Sequence, residues 1–311
     1  MMRYDQLWDV VIVGGGPAGL SAALILGRSR RTVALIDEGK PRNSVTKQAH
    51  GYLTRDGIAP AEFRHAAHEE LARYDSVWRV EDIVTKVVKE QNSFVAGTCG
   101  GSNLYSRNII IAAGVKDSLP PWQGMAQVYG KSVFLCPYCD GWELRDEPLA
   151  VFGNGNNIYA FTRKIYGWSK ELIVFTDGPA KLNEKQKLAL QIRQIGLEEG
   201  EIDQLQHSAD GQLTHVVMRD GRSVARTGGF LLDSNERQAT NMPESLGIGR
   251  TAAGHYETDH HGQTEVRGLY IIGDARTIFS GLIGAANDGY IVGEIINNDL
   301  LEQEWKKSGL H

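Results

Sequence analysis

Residues 8–23 read WDVVIVGGGPAGLSAA, and this stretch decides the fold. Residues 8–13 are a short, largely apolar run, the pattern of a strand buried on both faces of a parallel sheet. Gly14, Gly16 and Gly19 follow as a complete GxGxxG, and residues 20–28 are good helix formers. In such a turn the first glycine permits the sharp bend and the second lets the backbone approach a pyrophosphate. The third lets helix and strand pack closely. The free N–H groups at the helix start face the phosphates, so Pro17 and Ala18 join the candidate cofactor residues. Residues 32–37, TVALID, make a second strand that ends in an acid. Asp37 is the expected ribose partner, with Glu38 beside it as the alternative. Strand, turn, helix and strand form a βαβ unit that binds a dinucleotide. The motif alone does not separate FAD from NAD.

Further along, the pattern repeats. Residues 149–152 form an apolar run leading into GNGN, a helix is expected from Ile158, and residues 171–176 (ELIVFT) supply the next strand. Residues 268–274, GLYIIGD, read as a last buried strand, with a helix from Gly284 to about Trp305. The expected fold class is therefore α/β with two Rossmann-like domains. The first is discontinuous, 1–122 and 247–311. The second, 123–246, is inserted into it, with the turn signal Pro120–Pro121 near the crossing.

Composition removes other classes. The 311 residues carry 33 basic and 38 acidic side chains, a net charge of −5, and show no basic stripe for nucleic acid. Three cysteines do not make a disulfide-built secreted scaffold. The first wholly apolar run, Val10–Val13, is too short for a signal peptide, and no 18-residue apolar stretch exists. We expect no membrane span and a cytoplasmic location.

Cys136-Pro137-Tyr138-Cys139 is the chemical centre. A CxxC pair closes a reversible disulfide, and its neighbours tune the thiol pKa. Zinc needs four ligands, and there is no second CxxC. His260 and His261 are adjacent and are expected to point apart, so no metal is expected. Cys99 reads as a core or surface thiol.

Four motifs in order, VVIVGGGPAGLSAA at 10–23, IIIAAG at 109–114, CPYCDG at 136–141 and GQTEVRGLYIIGDA at 262–275, cover nearly the whole chain. With them the chain resembles the low-molecular-weight thioredoxin reductases. The resemblance implies thioredoxin-reductase-like architecture and FAD in the first domain, with Gly273 and Asp274 on its ribityl-pyrophosphate part. Ala113 and Gly114 of IIIAAG, and Arg42 and Asn43, complete the expected cofactor set. It implies that Cys139 faces the flavin, that Cys136 attacks the partner's disulfide, and that Asp140 is the acid–base residue. The other use of Asp140 is as a turn residue before Gly141. It also implies a homodimer whose second domain rotates, and a thioredoxin-like protein or a small dithiol or disulfide as partner.

The chain departs from that family in its second glycine turn, where Ile158 takes the third small position. After the next strand, where NADPH users carry a basic cluster, the chain reads FTDGPAK; Asp177 opposes a 2′-phosphate and only Lys181 is basic. We expect weak or absent use of NADPH. The CPYC core, Arg42-Asn43 and HGYLTRDG at 50–57 resemble a divergent branch. That branch holds pyridine-nucleotide-independent reductases, some driven by ferredoxin, and flavin dithiol oxidases that pass electrons to oxygen. His50 is read first as a packing or capping residue and second as a neighbour of flavin or substrate. The segment Phe279–Gly289 is expected to start a helix against the flavin, and the tail with Trp305 and His311 to fray. The direction of electron flow stays open, and a non-catalytic flavin redox sensor is the alternative outside the enzymes.

Overall fold

The computed structural model describes residues 6–277 and 281–307. The expected features at Phe279 and His311 lie outside the described residues. The described residues group into two compact units. One lies within Met1–Arg42, Ala61–Lys116 and Arg237–His311, the other within Asn43–Pro60 and Asp117–Glu236.

The first unit is built on β1 (Leu7–Val13), β2 (Val33–Asp37), β3 (Val77–Glu81), β4 (Val84–Lys89), β5 (Phe94–Thr98) and β6 (Asn103–Ile111). Their order is β3-β2-β1-β6-β5-β4. β1 pairs in parallel with β2 (Ile12↔Leu35) and with β6 (Ile12↔Ile110). The far edge of β6 is shared. Its first half pairs antiparallel with β5, and its last three residues pair in parallel with the strand Leu269–Ile271. The parallel strands therefore bring Val13, Asp37, Ile111 and Ile271 to one edge of the sheet, the end where α/β folds bind ligands.

Val10–Ile12 are fully buried because helices or loops cover both sheet faces. α1 (Pro17–Arg28) starts with Pro at its first turn and buries Ala18, Leu20, Ala22, Ala23 and Leu26. It ends at Ser29, before Arg30 at φ 62°. Arg31, itself buried, ties this end to the C-terminal helix Gly281–Lys307 through Asn297 (2.8 Å) and Glu304 (2.7 Å).

The second unit has a five-stranded parallel sheet. Its strands, in order, are Gly196–Glu198, Leu172–Phe175, Leu149–Phe152, Gly228–Leu231 and Val133–Phe134. A separate antiparallel sheet holds Ile202–His207, Leu213–Met218 and Ser223–Ala225. Each unit has its own apolar cores.

The sequence sets the crossings between domains at 122/123 and 246/247. The contacts set them earlier on both sides, where Val115–Lys116 pairs antiparallel with Arg237–Gln238. Residues 43–60 also group with the second unit, although they follow β2 in the chain. No described helix is long and apolar enough to cross a membrane.

Candidate active site

The glycine turn leaves β1 and closes under two constraints. Gly14 sits at φ +107°, and a Cβ there would meet the Ala112 carbonyl oxygen at 2.4 Å. A Cβ on Gly19 would lie 1.9 Å from the Gly14 carbonyl oxygen. Gly16 differs, because a Cβ there would meet nothing. Gly16 is also the N-cap of α1 and no side chain caps it. A twelve-residue helix with no side-chain cap, and with no protein atom within 4 Å of where a Gly16 Cβ would stand, fits the pyrophosphate of a dinucleotide. Pro17 and Ala18 form the first turn, as the sequence indicates.

Asp37 ends β2 with its carboxylate turned to the same turn. It accepts from the N–H of Gly15 (2.8 Å) and of Gly39 (3.2 Å). Arg64, on the helix Pro60–Leu71, donates to it at 2.6 Å and to the Gly15 carbonyl at 2.8 Å. Burial favours the neutral carboxyl, but the Arg64 hydrogen bond, the Gly15 N–H, the Arg64 charge and the Gly39 N–H together outweigh it. Asp37 is held below the ordinary carboxylate value, as an anion. Arg64 was not a sequence candidate; no motif links a residue 27 positions away to the strand end. Glu38 points elsewhere, pairing with Lys40 at 2.9 Å.

The other expected cofactor residues of this unit gather at the same sheet edge. Ala113 and Gly114 follow β6, and Gly273 and Asp274 open a 3-10 turn after Leu269–Ile271. Arg42 donates to Asp274 at 3.1 Å. The Gly273 N–H donates to Asp288, which Arg276 also grips. Asn43 follows Arg42 in a 3-10 turn but groups with the second unit.

In the second unit Cys136 and Cys139 form a disulfide, their Cα atoms 5.3 Å apart. Cys136 caps the short helix Pro137–Asp140, and its carbonyl accepts from Cys139 (3.0 Å) and Asp140 (3.1 Å). Gly141 lets this turn lie against Trp168, since a Cβ there would press on the indole at 2.9 Å. Tyr138, 72% exposed, packs edge-on to Trp168 at 5.4 Å, and Trp142 is 66% exposed with Arg145 over its ring. Two exposed aromatic side chains therefore lie close to the disulfide in the chain, Tyr138 between the cysteines and Trp142 shortly after them.

Burial, and then the negative charge of Glu143, push Asp140 up to about 7. Glu143 in turn lies 3.6 Å from Nε2 of His50, whose Nδ1 is 3.6 Å from Asp56. His50 is thus placed, largely buried, between two carboxylates, one of them close in the chain to the redox turn, a setting that suits packing as well as contact with the site. The rings of His260 and His261 come within 3.7 Å of each other, contrary to the expectation that they diverge. No cluster of three or more potential metal ligands occurs among the described residues. Cys99 is exposed and unbonded.

Residues 8–161 match the family described as pyridine nucleotide-disulphide oxidoreductase. A probable thioredoxin reductase of Arthroderma benhamiae is 31% identical over 303 residues, covering 87% of this chain and 74% of its own. The chain belongs to the thioredoxin reductase-like disulphide oxidoreductases. A putative thioredoxin reductase TrxB from Bacillus anthracis superposes with a TM-score of 0.91 at 33% identity, covering 96% of this chain and 99% of that one. The structure of HlmI gives 0.91 at 30%, covering 98% and 96%. This thioredoxin reductase-like chain is a flavin-dependent disulfide oxidoreductase with two Rossmann-like domains.

Proposed function

We propose that this enzyme carries two electrons between FAD and a partner's dithiol or disulfide through Cys136 and Cys139, and that NADPH is not its electron source. The observation that carries the reading is the Cys136–Cys139 disulfide on an accessible turn, beside a carboxyl that titrates near neutrality. FAD supplies, when bound, a two-electron carrier that connects the dithiol to a second redox partner. Gly14, Gly16, Pro17, Ala18 and Gly19 would hold its pyrophosphate and Asp37 its ribose. Ala113, Gly114, Gly273, Asp274, Arg42 and Asn43 would bind the remainder.

Reduction of a partner proceeds by attack of the Cys136 thiolate on a partner sulfur, forming a mixed disulfide and releasing one partner thiolate. Cys139 then attacks Cys136, reforming the pair and releasing the second partner thiol. In each step Asp140 takes the proton of the attacking cysteine thiol and gives it to the departing partner sulfur, one proton at a time. Glu143 adds the negative charge that helps keep the proton on Asp140. The partner is a thioredoxin-like protein or a small disulfide, and reduced ferredoxin is the candidate donor.

The same centre runs in reverse as a dithiol oxidase, and the exposed Tyr138 and Trp142 beside the disulfide favour a small substrate for that direction. The deciding experiment is anaerobic bleaching of the flavin by NADPH, NADH, reduced ferredoxin or a small dithiol. Fast bleaching by ferredoxin supports the reductase, and fast bleaching by the dithiol supports the oxidase. Fast, saturable bleaching by NADPH overturns the nicotinamide-independent reading.

A further inference from the structure

The second unit repeats the glycine turn of the first, and the two can be matched atom by atom. In the first, the Gly14 N–H donates to the Ile36 carbonyl at 2.8 Å; in the second, the Gly153 N–H donates to the Phe175 carbonyl at 3.0 Å. Counting on from these pairs, Gly15 corresponds to Asn154, Asp37 to Thr176, and Gly19 to Ile158. The counterpart of the ribose-binding acid is therefore Thr176, and Asp177 corresponds to Glu38.

None of these positions keeps its nucleotide-facing group. Thr176 is buried, and its hydroxyl donates to the Gly178 carbonyl at 2.7 Å. The carboxylate of Asp177 accepts from the Ile202 N–H (2.7 Å) and the Trp122 indole (3.0 Å). The Asn154 side chain crosses from the turn to the loop 176–181. Its amide donates to the carbonyls of Thr176 (3.0 Å) and Pro179 (2.9 Å). Its oxygen accepts from the N–H groups of Gly155 and Lys181, both at 2.8 Å. An asparagine side chain offers two donors and two acceptor sites, so all four are used.

In the first unit that crossing is barred to a side chain, since a Cβ on Gly15 would lie 2.7 Å from the Asp37 carboxyl carbon. Glycine with an acid, or asparagine with a threonine, are thus two ways to fill one place. We propose that Asn154 is the specificity-determining residue of the second unit: its side chain locks the loop 176–181 across the crevice where a dinucleotide's adenosine ribose would lie. The lock, rather than the charge of Asp177, excludes nicotinamide dinucleotides. This rests on the reading of the enzyme as not fed by NADPH.

The test uses the FAD-loaded enzyme and measures binding, not turnover. NADH and NADPH are titrated by calorimetry into wild type, Asn154→Gly and Ile158→Ala. The expected result is no saturable binding to wild type and at least tenfold stronger binding of NADH to Asn154→Gly. A folded Asn154→Gly, with wild-type flavin spectrum, that gains nothing overturns the lock while leaving the nicotinamide-independent reading in place. Saturable binding to wild type overturns that reading and the lock with it. Should Asn154→Gly fail to fold, amide exchange in wild type decides: the Gly155 and Lys181 amides are expected to be protected, and exchange at open-loop rates overturns the proposal.

Discussion

Asp140 carries a proton over a pH range where an ordinary carboxyl has lost it. Burial and Glu143 raise it from 3.8 to about 7. Asp140→Asn keeps the side-chain shape and removes the titration. The expected loss in thiol exchange is about 10²–10⁴-fold, the usual range for a positioned acid–base group. The inflection near pH 7 should vanish from the rate profile of the half-reaction with partner. Glu143→Gln should move that inflection to lower pH, because it removes the charge that helps hold the proton on Asp140; stopped-flow rates between pH 5 and 9 read both effects. Stability has a definite sign as well. The folded state binds the proton more tightly than the unfolded chain, so stability at this site is greatest at low pH and falls as pH rises from about 4 to about 7. Denaturant titration at pH 5 and 8 should show a smaller pH difference in Asp140→Asn than in wild type. At this scale the sequence names Asp140 and both cysteines. It misses Arg64, whose role comes from a contact between residues far apart in the chain.

Among the elements, the β1–turn–α1 segment was the most legible part of the molecule. A buried strand, three spaced glycines and a helix former are all local signals, so no tertiary knowledge is needed to join them. The glycines nevertheless serve different ends, which sequence spacing does not reveal. Gly19→Ala places a carbon 1.9 Å from a backbone oxygen, so the turn itself must shift. Gly16→Ala meets no protein atom, so the apoprotein should fold unchanged while the new methyl stands where we propose that the pyrophosphate binds. We expect Gly16→Ala to purify pale, with at least tenfold weaker FAD binding and a thermal midpoint equal to that of wild-type apoprotein. Gly19→Ala should lose both flavin and stability. Equal apoprotein stability for the two variants would contradict this division of roles. The departures of the second glycine turn from GxGxxG were legible, but the contacts that Asn154 makes there were not. Asp177 draws attention by its charge, whereas the hydrogen-bond register makes Thr176 the counterpart of Asp37.

For the whole molecule, the sequence shows two nucleotide-type domains because each has its own strand–turn–helix signature. It does not show that residues 43–60 group with the second unit, since the segment has no periodic pattern and its partners lie about 90 residues further on, at Glu143. Two separately cored units should respond separately to ligands. Apart from Asn43, the residues that we assign to FAD belong to the first unit, and the disulfide belongs to the second. Anything that binds only the folded first unit stabilises it by mass action, by about 2.7 kcal/mol when free ligand is a hundredfold above its dissociation constant. Removing FAD should therefore speed hydrogen exchange at amides of the first unit, such as Leu20, which donates to the Gly16 carbonyl at 2.9 Å. Amides inside the second unit's sheet, such as Leu232, which donates to the Phe152 carbonyl at 2.9 Å, should keep their rates. Reduction of Cys136–Cys139 should give the reverse pattern, confined to the turn around 136–141. Equal acceleration in both units on removal of FAD would mean that they open as one cooperative body, and that the separate cores do not unfold separately.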